Sequence, residues 1–204
     1  MILQNTIQYA SNTLRNNKID SHLIDAELLL ANIIGVNKEY LIINNKISIS
    51  KEVLKKYNFA IKRRLKREPV AYITGKKEFW STDFLVNDST LIPRPETEIL
   101  IYKVINYFKN KKISILDIGT GSGCILLSIL KELSTSRGVG IDISSKAIQV
   151  AKLNSKRLNL FSRAKFKVTN LNDLNLGKYD LIVSNPPYIP SKDIKNLSKD
   201  IINY

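Results

Sequence analysis

The chain has 204 residues, and its 32 Lys+Arg against 18 Asp+Glu leave a net charge of +14, a balance that suits contact with something anionic such as nucleic acid or a nucleoprotein particle and equally a Lys-, Ile- and Asn-rich compositional bias with no functional demand. One cysteine, Cys124, and one histidine, His22, argue against a disulfide framework, a multi-thiolate zinc site and Ser-His or His-metal chemistry. No apolar run nears the roughly 20 residues of a membrane span and no secretory leader is evident, so a reducing, cytoplasmic setting is expected.

The pattern is helical as far as Glu68. Leu3, Ile7, Ala10 and Leu14 recur at helical spacing over 2–16. Ser21 is placed to cap a second helix running to residue 34, with Gly35 as its C′ residue. A short helix is expected over 38–43. Ser50 then caps a longer one, in which Val53, Tyr57, Ile61 and Leu65 form the apolar stripe and Lys62, Arg63, Arg64, Lys66 and Arg67 crowd the C-terminal end. Those cations read as a solvated, dipole-complementing helix end, with a binding surface as the alternative, and His22, beside Leu23 and Ile24, reads as a surface or packing residue. Residues 1–69 contain no glycine-rich loop and no clustered carboxylates, so they form a helical recognition or packing domain, and the chemistry lies further on.

Between residues 70 and 90 the residues turn β-prone, interrupted by Gly75 and Lys76-Lys77, with Phe79, Trp80 and Phe84 on the second arm; a hairpin linker is expected. In Leu91-Ile92-Pro93-Arg94-Pro95-Glu96-Thr97-Glu98, Pro95 suits the first turn of a helix, and Glu96 and Glu98 favour its positive end. That helix would reach residue 109. Arg94 and Glu98 read as a capping pair, with a site role as the alternative.

A buried strand at 113–118 breaks into Gly119-Thr120-Gly121-Ser122-Gly123 and then a helix over 125–133. Glycine there lets backbone approach a ligand closely, and no Lys-Ser/Thr pair follows to mark a phosphate loop. Asp117, just before the first glycine, would face a cation rather than a pyrophosphate; the ammonium of a methionine moiety is such a cation, which points to S-adenosylmethionine and not NAD. The next strand, 138–142, ends in Asp142, about 20 residues on, where a ribose would be held by its hydroxyls. After a helix over 145–158, the strand 165–168 leads to Thr169-Asn170-Leu171-Asn172-Asp173, placed to hold an adenine ring.

The fourth strand, 178–183, delivers Ser184-Asn185-Pro186-Pro187-Tyr188. Two prolines stop any ladder, since neither donates a backbone hydrogen bond. The rigid loop that results can grip a planar group bearing an NH2: the Asn185 side-chain oxygen and a proline carbonyl accept its hydrogens, and Tyr188 stacks on its plane. Asn185 and Pro186 are therefore candidate catalytic residues, with Pro187 and Tyr188 as further substrate contacts. Alternating strands and helices imply an α/β, doubly wound parallel sheet of the Rossmann-like methyltransferase class over 91–204, with ligands at the carboxyl ends of the strands.

The segments from Arg67 to Gly75, Phe79-Trp80, Leu91 to Glu98 and Ser184 to Ile189 resemble the signatures of the release-factor glutamine methyltransferases, the HemK/PrmC family, and the similarity spans essentially the whole chain. The resemblance implies methylation, from S-adenosyl-L-methionine, of the side-chain amide nitrogen of the glutamine in the Gly-Gly-Gln loop of peptide chain release factors, with the N-terminal domain helping to hold that partner. It implies cofactor contacts at Asp117, Ile118, Gly119, Thr120, Gly121, Asp142, Asn170, Leu171 and Asn185, and substrate contacts at Asn185 to Tyr188. Two departures stand out. The family commonly has an aromatic residue where this chain has Leu171, and it continues past the position of Tyr204, so a C-terminally truncated chain with an incomplete sheet is expected. The rival readings are an adenine or other nucleic-acid amino methyltransferase, which the charge and the same amine grip favour, and a noncatalytic remnant.

Overall fold

The computed structural model describes residues 2–170 and 177–186, and the chain divides into two compact units after Thr74. The first unit contains α1 (Leu3–Asn16), α2 (His22–Ile34), α3 (Lys38–Ile43), α4 (Lys51–Leu65) and α5 (Val70–Thr74). Leu3, Ile7, Ala10 and Leu14 of α1 are buried with Leu29 and Leu30 of α2 and with Tyr57 and Ile61 of α4. Ser50 accepts from the Val53 N–H at 3.2 Å, as a cap residue does, and Gly35 ends α2 in the left-handed conformation.

Three expectations fail in this unit. Ser21 does not cap α2; its hydroxyl donates instead to Asp25 Oδ2 at 2.7 Å. The same carboxylate oxygen accepts from Arg64 Nε at 2.7 Å, and both residues are buried. Arg63 pairs with Glu68 and Arg67 donates to the Asn17 and Lys18 carbonyls, so three of the five cations at the end of α4 are structural ties rather than a solvated end. Val70–Thr74 is a helical turn rather than the start of a hairpin, because Val70 and Ile73 gain apolar partners in the helical core. His22 is a packing residue, with Nδ1 2.8 Å from the Ser11 hydroxyl.

The second unit opens with the antiparallel hairpin β1 (Lys76–Phe79) and β2 (Thr82–Leu85). A 3-10 turn at Pro95–Thr97 leads into α6 (Glu98–Tyr107), followed by β3 (Ser114–Ile118), α7 (Cys124–Glu132), β4 (Arg137–Asp142), α8 (Ser145–Arg157), β5 (Ala164–Val168) and β6 (Leu181–Ser184). The four later strands are parallel in the order β5-β4-β3-β6, which makes this unit a Rossmann-like α/β domain. From β3 the chain steps outward through β4 to β5, then returns to the other side of β3 for β6, so the winding reverses between β3 and β6. In register, Ile118 stands opposite both Ile141 and Ser184, which brings the carboxyl ends of β3, β4 and β6 together.

Ile115, Phe166 and Val183 of the sheet are buried with Leu126, Leu127 and Leu130 of α7, Ile148 and Ala151 of α8, Ile101 and Val104 of α6 and the hairpin's Phe79 and Phe84. The last two meet edge to face at 6.2 Å. Among the described residues no helix is long and apolar enough to cross a membrane. Close packing explains Gly140 in β4: a Cβ there would lie 2.7 Å from both the Phe166 ring and Thr120 Oγ1. Gly140→Ala is therefore expected to cost about 1–3 kcal/mol through overpacking, read as a lower urea midpoint with an unchanged denaturant slope.

Candidate active site

At the reversal point the second unit holds a cleft of about 440 Å³, within the size range of small-molecule sites. Its floor is the loop between β3 and α7. Gly119, Gly121 and Gly123 take φ of +70°, +54° and +79°, values that a side chain makes costly. Backbone and carboxylate groups at the end of β4 hold this path: Ile141 O accepts from the N–H groups of both Gly119 and Thr120 at 2.9 Å, and Asp142 Oδ2 accepts from Gly121 N at 3.0 Å. The other Asp142 oxygen accepts from Ser144 N at 2.9 Å. A Cβ built on Gly119 or Gly121 meets nothing within 4 Å, so the loop presents bare backbone to open space.

Ile118, Gly119, Thr120, Gly121, Asp142, Asn170, Asn185 and Pro186 all line this one cleft. Asp117 lies beneath it instead. It is 1% exposed, its Oδ2 accepts from the Thr120 hydroxyl at 2.6 Å, and its Oδ1 is buried with no partner. Burial pushes the carboxyl up to about 6, and the nearby Asp142 charge adds to that, while the Thr120 hydroxyl and the Leu126 N–H, the latter outside hydrogen-bonding geometry, draw it back. Leu171, Pro187 and Tyr188, expected at the site, lie outside the described residues.

Thr169, from the stretch expected to hold an adenine ring, lines the cleft too. Leu91, Pro93 and Thr97, to which the sequence reading gave no cleft role, complete the surroundings with Ile143. Ile143 is 78% exposed, a large apolar side chain left open beside Asp142, and its place directly after that acid was the available signal. Buried Asn154 of α8 donates to Ser122 O at 2.9 Å and exchanges two hydrogen bonds with the Leu85 backbone, tying loop to hairpin; nothing in its helical sequence context marks it. Burial above all pushes the Cys124 thiol up to about 12, which disfavours the thiolate.

Residues 5–75 match the PrmC N-terminal domain, and residues 109–201 match a methyltransferase domain. The release factor glutamine methyltransferase of Buchnera aphidicola subsp. Schizaphis graminum is 45% identical over 87% of this chain and 64% of its own length. That of Buchnera aphidicola subsp. Baizongia pistaciae is 37% identical over 99% of this chain and 73% of its own length, and that of Caulobacter vibrioides is 39% identical over 94% and 67%. The chain belongs to the release factor glutamine methyltransferase family. It spans about two thirds of the length of these relatives. For the family's S-adenosylmethionine-dependent methyltransferase domain, the cleft at the reversal of the sheet is where a ligand is expected to bind.

The buried Asp117 gives a pH signature. Its folded-state value, about 6, lies above the value of about 3.9 for an exposed aspartate, so between those values the folded chain binds more protons than the unfolded one. Stability from this group therefore falls as pH rises through that window, by up to about 3 kcal/mol. Asp117→Asn keeps an acceptor for Thr120 but cannot ionise. Its stability relative to the wild type should rise between pH 4 and pH 7.5 in urea titrations, whereas a constant difference would show that Asp117 does not titrate there.

Proposed function

We propose that this chain methylates the side-chain amide nitrogen of the glutamine in the Gly-Gly-Gln loop of peptide chain release factors, using S-adenosyl-L-methionine. The observation that carries the reading is the convergence in one cleft of the bare glycine loop, the β4 acid Asp142 and the Asn185-Pro186 pair at the end of β6, in a chain whose relatives bear that name. The helical unit, which matches the PrmC N-terminal domain, is proposed to hold the release factor.

The residues present fit the cofactor. Open space above Gly119 and Gly121 admits a ligand against backbone. Asp142 is oriented by two backbone N–H groups and keeps lone pairs for the hydroxyls of a ribose. The unpartnered Asp117 oxygen beneath the loop gives the floor a negative polarity that favours a cationic amino acid moiety, and Ile143 offers an apolar wall for a flat ring, with Ile118, Thr120 and Asn170 alongside. When bound, S-adenosylmethionine supplies an electrophilic methyl group on a sulfonium.

An amide nitrogen is a weak nucleophile because its lone pair is delocalised into the carbonyl. Asn185 Oδ1 and the Pro186 carbonyl each accept one of its N–H bonds, strip its water and aim it. This is catalysis by orientation and fixed dipoles, for which effective molarities worth roughly 7–11 kcal/mol set the ceiling. No base is needed beforehand, since the nitrogen becomes acidic on methylation and releases its proton to water. The roles of Pro187, Tyr188 and Leu171 in this scheme rest on the sequence.

Transfer of tritiated methyl to a release factor, and none to the same factor with its loop glutamine changed to alanine, is the expected result; label on duplex DNA and not on the factor would establish the nucleic-acid reading instead. Asn185→Ala should lower turnover by about 10²-fold or more while cofactor affinity by calorimetry stays within about threefold. Equal losses in both would overturn the assignment of Asn185 to the substrate.

A further inference from the structure

Asn185 has its amide tied to a segment far away in sequence. Its Nδ2 donates to Thr97 Oγ1 at 3.4 Å, across 88 residues, and both side chains line the cleft. Thr97 sits on a held element: its N–H donates to Arg94 O at 3.0 Å to close the 3-10 turn, and its neighbour Glu98 accepts from the Trp80 N–H at the tip of the hairpin. We infer, on the reading of the site just proposed, that Thr97 is a positioning residue which sets the orientation of the Asn185 carboxamide and thereby selects an N–H donor as substrate.

A carboxamide has a donor end and an acceptor end of nearly the same shape, and a half-turn about its terminal bond exchanges them. Only the acceptor end can take an N–H from the target. The exchanged orientation would set two donors against the substrate's NH2 and would suit a carbonyl or carboxylate instead. Tying Nδ2 back to the 3-10 turn leaves Oδ1 as the end that meets the ligand. The Thr97 hydroxyl suits this acceptor role, because a threonine in a helical turn can place its own hydrogen on a carbonyl one turn back. At 3.4 Å the bond is long, so it orients the carboxamide more than it adds stability.

The test compares Thr97→Val, which keeps the shape and loses the hydroxyl, with Thr97→Ser, which keeps the hydroxyl. The Asn185 side-chain NH2 signals in a ¹⁵N–¹H spectrum of the cofactor-free chain, assigned by their loss in Asn185→Ala, should move in Thr97→Val and stay near their wild-type positions in Thr97→Ser. Turnover on a release factor should fall about 5- to 10-fold in the valine variant, with the KM for cofactor unchanged, and should return in the serine variant. The Thr97→Val/Asn185→Ala double variant should be no slower than Asn185→Ala, since Thr97 acts only through Asn185. Unmoved Asn185 signals in Thr97→Val, a serine variant as impaired as the valine one, or losses that multiply in the double variant would each overturn the inference. Absence of methyl transfer to a release factor by the wild type would count against the function proposed above, while the spectra would still decide whether Thr97 holds Asn185.

Discussion

The end of β4 holds the site in shape. One carbonyl, that of Ile141, takes two N–H groups from the loop after β3, and the next side chain, Asp142, takes a third. Without these acceptors the Gly119–Gly123 turn would have backbone donors with no ladder to satisfy them, because the loop leaves the sheet at the very point where β3 ends. Asn154 secures the far side of the same loop through the Ser122 carbonyl. The α7 helix can then start directly after Gly123, and its buried face, from Ile125 to Leu130, packs onto the sheet. Cleft floor and core are thus one construction.

That construction carries an internal tension. Asp117 Oδ1 and Ser122 Oγ are buried without hydrogen bonds, and the aspartate is held in surroundings that oppose its charge. Buried polar atoms are nearly always paired in folded proteins, and exceptions gather where a ligand acts. Two of the three such atoms among the described residues lie at the glycine loop, and the third, Ser128 Oγ, lies on α7 behind it.

The second wall of the cleft is secured from the hairpin. Trp80 and Ser81 form its tip with φ of +49° and +50°, a strained choice for residues other than glycine. Glu98 accepts from the Trp80 backbone and Glu132 from its indole, so α6 and α7 both hold the tip, and Lys131 adds a bond to Thr82. The two turns next to each other in sequence, Pro95–Thr97 and the start of α6, therefore serve different masters: Glu98 faces the hairpin and Thr97 faces Asn185. Glu98 is neither a simple cap nor one of the residues lining the cleft; its carboxylate holds the hairpin tip.

By itself, the sequence determined the architecture and the candidate cleft residues, because those follow from local chemistry. Period-3.6 and buried-strand patterns, Ser50 before α4, glycine at alternate positions after β3, an acid ending β4 and two prolines ending β6 each restrict the backbone within a few residues. Only the tertiary structure decided what depends on residues distant in the chain. It turned Ser21 from a cap into a donor, since Arg64 arrives 39 positions later to share Asp25; it made Val70–Thr74 helical, since an apolar core was there to receive Val70 and Ile73; and it placed Asp117 under the loop rather than in the cleft. It also brought Asn154 to the loop and Thr97 to Asn185. A long-range hydrogen bond leaves no periodicity and no local propensity behind it, which is why these contacts, and not the strands and helices that carry them, were invisible in the residues alone.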